Sequence, residues 1–339
     1  MSQKPYDFVP LVPEVKRSQV PRHDVLLPER YSGVIVLSVE ALTPLHMGTG
    51  LVRVGQGGTL VGVFQRAGDR LVIPGSAVKG MARSIVEAVS YSCAPPVPQG
   101  RKTREMPREN AKPCRGEGNP PWLCPACGLF GFLRGGARYR GRVGFGQFVA
   151  AEGVRTDLQR LCPLHKPDAS ATQFYLNDRG KIRGRKFYYH GKRVDPVAAQ
   201  GTRLYEVAPP GSRFTGELRV TNVTEAELSL LFFALGLDGS FAPKLGYGKP
   251  AYLGSVRFRI ESANLRRGVR IVPEAVGLLL ELARAYCPQD EEEKRRVRQK
   301  ARGYGPVDQV LEERVRKLRQ ILHVDRPQGP PWDPATGGY

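Results

Sequence analysis

The chain has 339 residues, 41% of them hydrophobic, enough for a sizeable core in one large domain or two ordinary ones. Its 52 Lys and Arg against 32 Asp and Glu give a formal charge of +20, beyond what solubility needs, and point to a polyanionic partner, nucleic acid first. No segment approaches the roughly 18 apolar residues of a membrane-spanning helix, and residues 1–16 hold no apolar stretch of the signal-peptide kind, so a cytoplasmic location is expected, where the six cysteines stay reduced and an organised cluster reads as a metal site.

A polar, Pro-containing arm, residues 1–30, leads into Gly33-Val-Ile-Val-Leu-Ser-Val-Glu-Ala-Leu42, whose β-branched residues and partial alternation predict a strand. Glycines at 48, 50, 55, 57, 58, 62 and 68 predict a folded-back loop over 46–62. Leu71-Val-Ile73 reads as a short strand stopped by Pro74-Gly75, with Ser76 capping a helix through Val78, Met81, Ala82, Ile85 and Val86. Residues 93–142, rich in Pro, Gly, Arg and Lys, read as an insertion without regular core elements. Strands are expected at 142–151 and at 212–220, where Phe214, Leu218 and Val220 share a face.

Thr224-Glu-Ala-Glu227 is a capping box, and the apolar run 228–237 behind it predicts a second helix. A fourth strand over 251–260 completes the order β-α-β-β-α-β, an α+β, ferredoxin-like plan shared with RNA-recognition (RRM-like) domains and spanning 31–262. Helical spacing over 273–286, 290–302 and 307–323 defines a helical C-terminal extension, 263–326, and the Pro/Gly-rich tail, 327–339, is expected to be disordered.

Cys124-Pro-Ala-Cys127 has the spacing that lets two thiolates share a tetrahedral zinc from one tight turn. Cys114 and Cys93, upstream in the same basic insertion, complete the preferred four-cysteine site. There a structural Zn2+ would supply folding energy that the insertion's composition lacks. Cys162-Pro-Leu-His165 also has zinc-like spacing and is the alternative to Cys93, unliganded buried thiols are the plainer alternative, and Cys287 reads as core. Over 177–206, Arg179, Lys181, Arg183, Arg185, Lys186, Lys192 and Arg193 surround Phe187, Tyr188, Tyr189 and His190. Cations that follow a phosphate chain, interleaved with rings that wedge against bases, suit single-stranded RNA. A solvated hairpin with its rings in the core is the plainer alternative.

Three segments, in order, resemble the RAMP superfamily of CRISPR-associated proteins: Ile73-Pro-Gly-Ser-Ala-Val-Lys-Gly80 with Arg83, Cys124-Pro-Ala-Cys-Gly-Leu-Phe-Gly131, and Lys244-Leu-Gly-Tyr-Gly-Lys249. Pro5-Tyr-Asp-Phe-Val-Pro10 and Gln173-Phe-Tyr-Leu176 are similar to a RAMP subfamily of type III loci. The resemblance implies a backbone-type subunit of a type III effector complex: a modified ferredoxin-like palm, a thumb at 177–206 reaching between guide bases, and several subunits packed along a CRISPR RNA with its complementary target RNA. The residue chemistry agrees. The Gly-Ser turn at Ser76 opens a helix whose free N–H groups suit phosphate, and Lys79 and Arg83 lie on one helix face beside it. In the second glycine loop, Gly246 and Gly248 allow close backbone approach to RNA, Tyr247 can stack, and Lys244 and Lys249 can meet phosphate. With Arg183, Arg185, Lys186 and Tyr188 of the thumb these make up the candidate RNA-binding set. An ordinary helix cap and a tight turn with solvated charges are the bland alternative.

The resemblance also implies an aspartate, in the loop before Ile73, with which type III backbone subunits cut target RNA. Here Thr59 stands near that position and no acid occurs between Glu40 and Asp69; a hydroxyl cannot orient water, bind a metal or take a proton as a carboxylate does. His46 matches a family histidine, and Asp69 reads as a hairpin-turn residue, with a displaced catalytic carboxylate as the alternative. Three readings follow: a non-cleaving RNA scaffold, a metal-dependent RNA endonuclease cutting target RNA or processing guide RNA, and a zinc-stabilised RNA-binding protein outside CRISPR.

Overall fold

The computed structural model describes residues 4–94, 106, 110, 112–161, 164, 172–191, 202–300 and 308–324. Cys162, His165, Lys192, Arg193 and the tail expected over 327–339 lie outside the described residues. Among the described residues no helix is long and apolar enough to cross a membrane.

Two short strands, β1 (Tyr6–Val9) and β2 (Ser18–Gln19), precede the long β3 (Tyr31–Ala41), whose alternation buries Ile35, Leu37 and Val39 on one face. The glycine-rich stretch folds back, and does so as a hairpin of two paired strands. Strands β4 (Gly48–Val54) and β5 (Leu60–Phe64) meet through a turn in which Gly57 and Gly58 take positive φ, so those glycines are turn residues and not strand breakers. After β6 (Arg66–Ala67) and β7 (Arg70–Ile73), helix α1 (Gly75–Val89) is capped at Pro74 and not at Ser76. A Cβ on Gly75 would lie 2.1 Å from the Phe145 carbonyl oxygen, so this glycine lets the helix start lie against a strand.

The insertion is locally ordered: β8 (Trp122–Leu123), α2 (Pro125–Phe130), β9 (Gly131–Arg134) and β10 (Ala137–Arg140) precede β11 (Val143–Phe145) and β12 (Phe148–Ala150). These two fragments form the expected second strand, interrupted at Gly146, whose N–H bonds Glu217 O. Then come β13 (Asp157–Leu161), α3 (Thr172–Tyr175), β14 (Arg185–Tyr188), β15 (Arg203–Val207), β16 (Arg213–Val223), α4 (Glu225–Ala234), β17 (Val256–Arg267), β18 (Arg270–Ile271), α5 (Ala275–Ala285), α6 (Glu291–Lys300) and α7 (Gln309–Leu322). Strand β17 starts later than its apolar pattern predicts, because residues 249–251 close a 3-10 turn after the glycine loop.

The main sheet runs β18-β17-β3-β16-β12-β7-β6, with β11 also on β16. Its centre, β17-β3-β16-β12, places the four expected strands in the order fourth, first, third, second, all antiparallel, as a ferredoxin-like plan requires. Phe214 and Leu218 of β16 and Phe148 of β12 are fully buried, each side chain contributing about 1.5–3 kcal/mol by leaving water. Helix α4 is apolar on every side, and Leu228–Ala234 are all buried. Ser229 Oγ donates to Leu282 O at 2.6 Å, and Phe233 and Tyr286 rings lie 4.8 Å apart, so α5 continues the same core. A second sheet, β13-β15-β5-β4, contains the parallel pair β15–β5. In a third, the N-terminal β1 pairs with β14 of the basic segment, and Lys317 and Arg314 of α7 bond Asp7 and the Leu11 carbonyl beside it.

The capping box does more than start α4. Glu227 Oε2 accepts from Thr224 N at 2.9 Å and from Arg142 Nη1 at 2.8 Å, and the Arg142 side chain is only 1% exposed. Burial raises the Glu227 pKa, but the Arg142 guanidinium outweighs it, holding the carboxyl below the ordinary 4.5. With the folded value depressed, this stabilisation is present above the unfolded value and lost as pH falls through the folded one. Glu227→Gln leaves Arg142 buried without a counter-charge and is expected to cost about 3–5 kcal/mol at neutral pH, less in acid. Denaturant midpoints between pH 7 and 3 check this, and equal midpoints for the two proteins at pH 7 would refute it.

Candidate functional site

Cys93 follows the end of α1, Cys124 and Cys127 frame the first turn of α2, and Cys114 comes from the segment before it. Their four sulfurs all lie within 4.8 Å of one another, all four residues are buried, and the cluster could hold a metal ion. Cys93 Sγ is 3.6 Å from Cys124 Sγ and 3.7 Å from Cys127 Sγ. Four thiolates about 2.3 Å from a tetrahedral zinc stand roughly 3.8 Å apart, so the donors fit that ion. Hydrogen bonding to Cys124 brings the Cys114 thiol down to about 7, while bonding to Cys114 pushes Cys127 up. Cys287 is buried in the apolar core, as its pattern predicts.

The cations divide into accessible and internal ones. Ser76 is exposed at the start of α1, and Lys79 is half-buried. Arg83 points at the cysteines, donating from Nε to Glu87 Oε1 at 2.8 Å, from Nη1 to Gly131 O at 2.8 Å and from Nη2 to Cys127 Sγ at 3.6 Å. Arg185 donates to the other oxygen of the same Glu87. Lys186 lies 4.7 Å from the centre of the Tyr6 ring and 5.2 Å from that of Tyr188. Arg183 is exposed, with Nε donating to Leu176 O at 2.7 Å. Lys244 is buried, donates to Tyr189 O at 2.9 Å and is brought down to about 7 by that burial. Lys249 donates to Gly246 O and so braces its own loop.

The glycine loop closes on His46. Gly246 takes φ 77°, and a Cβ there would lie 2.3 Å from His46 O, the atom that accepts from Tyr247 N at 2.9 Å. His46 Nδ1 lies 2.6 Å from Glu206 O, and burial lowers its pKa, so the neutral ring donates to that carbonyl. A groove of about 500 Å³ is lined by His46, Gly48, Gly62, Arg203, Tyr205 and Tyr247. Sequence reasoning missed Tyr205 and Glu206. Glu206 accepts from Arg53 Nε at 2.9 Å, Arg66 Nη1 at 2.7 Å and Phe64 N at 3.1 Å, tying β15 to the hairpin. No local pattern announces the parallel pairing that brings it there.

Thr59 and His46 occupy opposite ends of that hairpin. Thr59 is exposed at its tip, and the seven residues of β4 put on the order of 20 Å between them. Asp69 is exposed in the turn between β6 and β7. His46 therefore bonds a backbone carbonyl, with no contact to either position.

A βαββαβ sheet whose glycine-rich loop folds back on its first strand's exit belongs to the ferredoxin-like α+β class, here elaborated by a four-cysteine insertion. Within that class the family model of the RAMP superfamily matches residues 38–249, from β3 through the glycine loop, and the chain belongs to this superfamily. A chain solved as part of a "Type IV-B CRISPR Complex" is similar at 17% identity over 68% of this chain and 90% of that one, with a TM-score of 0.35, too low to equate the two folds. Among curated proteins none matches.

Proposed function

We propose that this protein is a cytoplasmic, crRNA-binding structural subunit of a type III CRISPR ribonucleoprotein effector, contacting guide RNA, the guide-target duplex and neighbouring effector subunits. Membership of the RAMP superfamily across 38–249 is the observation that carries the reading. In it, residues 31–262 form the palm, 93–142 a zinc-binding insertion, 177–206 the thumb and 1–30 an arm; the expected helical extension, 263–326, starts instead on the end of β17 and on β18 of the main sheet and is helical only from Ala275. Ser76, Lys79, Arg183, Tyr188 and Tyr247 have surface for RNA, while Gly246 and Gly248 let backbone approach it. Arg83, Arg185, Lys186, Lys244 and Lys249 shape the surfaces on which those residues stand.

Cys93, Cys114, Cys124 and Cys127 would hold Zn2+, which soft thiolates in tetrahedral array favour. With a metal bound there, these four cysteines would tie the insertion to the end of α1 and would take up all four tetrahedral positions.

Crosslinking within a guide-loaded complex tests the function: Lys79 and Tyr247 should join to the guide strand, and a subunit with no crosslink to RNA is not this one. The same complex with magnesium should leave target RNA uncut opposite this subunit, since loss of a general base or ligand costs on the order of 10²-fold or more. Thr59→Asp alone should create no cleavage, because the hairpin tip stands far from His46. Magnesium-dependent cleavage abolished by Asp69→Ala would instead establish the endonuclease reading.

A further inference from the structure

We infer that Arg83 and Glu87 are positioning residues that complete the four-cysteine metal centre and couple its occupancy to the order of strand β14 in the basic segment. The inference rests on the reading of the four cysteines as a metal centre and goes further into it. Its basis is an unbroken line of contacts between a thiol and β14. Cys127 Sγ accepts from Arg83 Nη2 at 3.6 Å, Arg83 Nε donates to Glu87 Oε1 at 2.8 Å, and Glu87 Oε2 accepts from Arg185 Nη2. Arg83 is further held by its bond to Gly131 O, at the end of the helix that carries Cys127. Turning this guanidinium to solvent would break three contacts at once.

Charge supplies the reason for the arrangement. Two guanidiniums share one carboxylate, a local excess of one positive charge, and the Glu87 and Arg185 side chains are only 5% and 18% exposed. An uncompensated charge so placed is costly. A divalent ion with four thiolates carries a net charge of −2, which more than offsets this excess, and an N–H donor on a thiolate sulfur fixes the orientation of that ligand. The coupling then runs outward. Arg185 is a β14 residue whose backbone pairs with Val9 of β1, so the contact that neutralises the metal centre also pins the ribbon carrying Lys186 and Tyr188. An empty centre with its four sulfurs protonated removes that offset and leaves Glu87 alone between the two guanidiniums.

Two readouts on the full-length, zinc-loaded chain test this. The first is competition for zinc by a chromophoric chelator, comparing the natural protein with Arg83→Gln and Arg83→Lys. The second is amide hydrogen exchange at β14, with β3 as the internal control for global folding. Arg83→Gln is expected to hold zinc about 10–100-fold more weakly, as removal of an outer partner does. Arg83→Lys, which keeps the charge without the three-way fork, should fall between. Zinc-loaded Arg83→Gln should exchange faster at β14 and unchanged at β3; if it does not fold, Arg83→Lys carries both measurements. Zinc affinity equal to that of the natural protein in the folded variants, or unchanged β14 exchange, overturns the inference. A natural protein without zinc, or one that keeps it in Cys124→Ser with Cys127→Ser, overturns instead the metal-centre reading beneath it.

Discussion

Purified protein should contain one equivalent of zinc, and Cys124→Ser together with Cys127→Ser should remove it and unfold the insertion. The magnitude follows from what a structural zinc site contributes, about 10–16 kcal/mol in apparent binding energy at neutral pH, comparable to the entire stability of an ordinary domain. Part of that energy is already met here, because Leu123, Leu129 and Phe130 are buried in the common core around the cysteines. The loss should therefore begin at β8 to β10 and reach α1 through Cys93, with the central sheet the last to respond. Elemental analysis gives the stoichiometry, and circular dichroism with limited proteolysis at 112–142 reports the unfolding. Unchanged metal content in the double variant would exclude these four residues as its ligands.

RNA affinity should fall steeply with salt. A surface that neutralises 6–10 phosphates releases their counterions and loses about 10³–10⁵ in affinity between 50 and 200 mM salt. The structure indicates which cations are available for this. Arg183 and Arg203 are exposed around the groove and basic segment, and Arg213, Arg219, Arg257 and Arg259 stand exposed on the strands β16 and β17. Lys244, in contrast, is buried and Arg83 faces the cysteines. Lys79→Ala should weaken binding about equally across RNA sequences and flatten the salt slope by about one contact, as a phosphate contact does. Filter binding over a salt series reads both effects. A flat salt response would refute the electrostatic account, and base-dependent losses at Lys79 would indicate edge readout instead.

Elements written in contiguous residues are legible in the sequence. The capping box Thr224-Glu227, the apolar run behind it, the long strand at Tyr31–Ala41 and the helical spacing over 273–323 are properties of contiguous residues, so their periodicities survive in one dimension. The cysteine set was legible for the same reason: Cys124 and Cys127 share one turn, and the composition around Cys114 and Cys93 called for a staple. The 46–62 hairpin was not, because its glycines serve the turn and make room for the Tyr205 ring against Gly62, a neighbour from 143 residues away.

By itself, then, the sequence determined the α+β order of elements, the basic character and the four cysteines that the fold gathers into one cluster. Those depend on local pattern, bulk charge and ligand chemistry. Only the tertiary structure decided which cations face outward. Arg83, Arg185 and Lys244 resemble RNA ligands in sequence, yet their guanidinium and ammonium groups bond Cys127, Glu87 and the Tyr189 carbonyl inside the fold. A cation's partner is set by what long-range packing brings within about 3 Å, where a desolvated acceptor outcompetes water. That packing joins β1 to β14 and α1 to α2, contacts between segments far apart in the chain that no local spacing encodes.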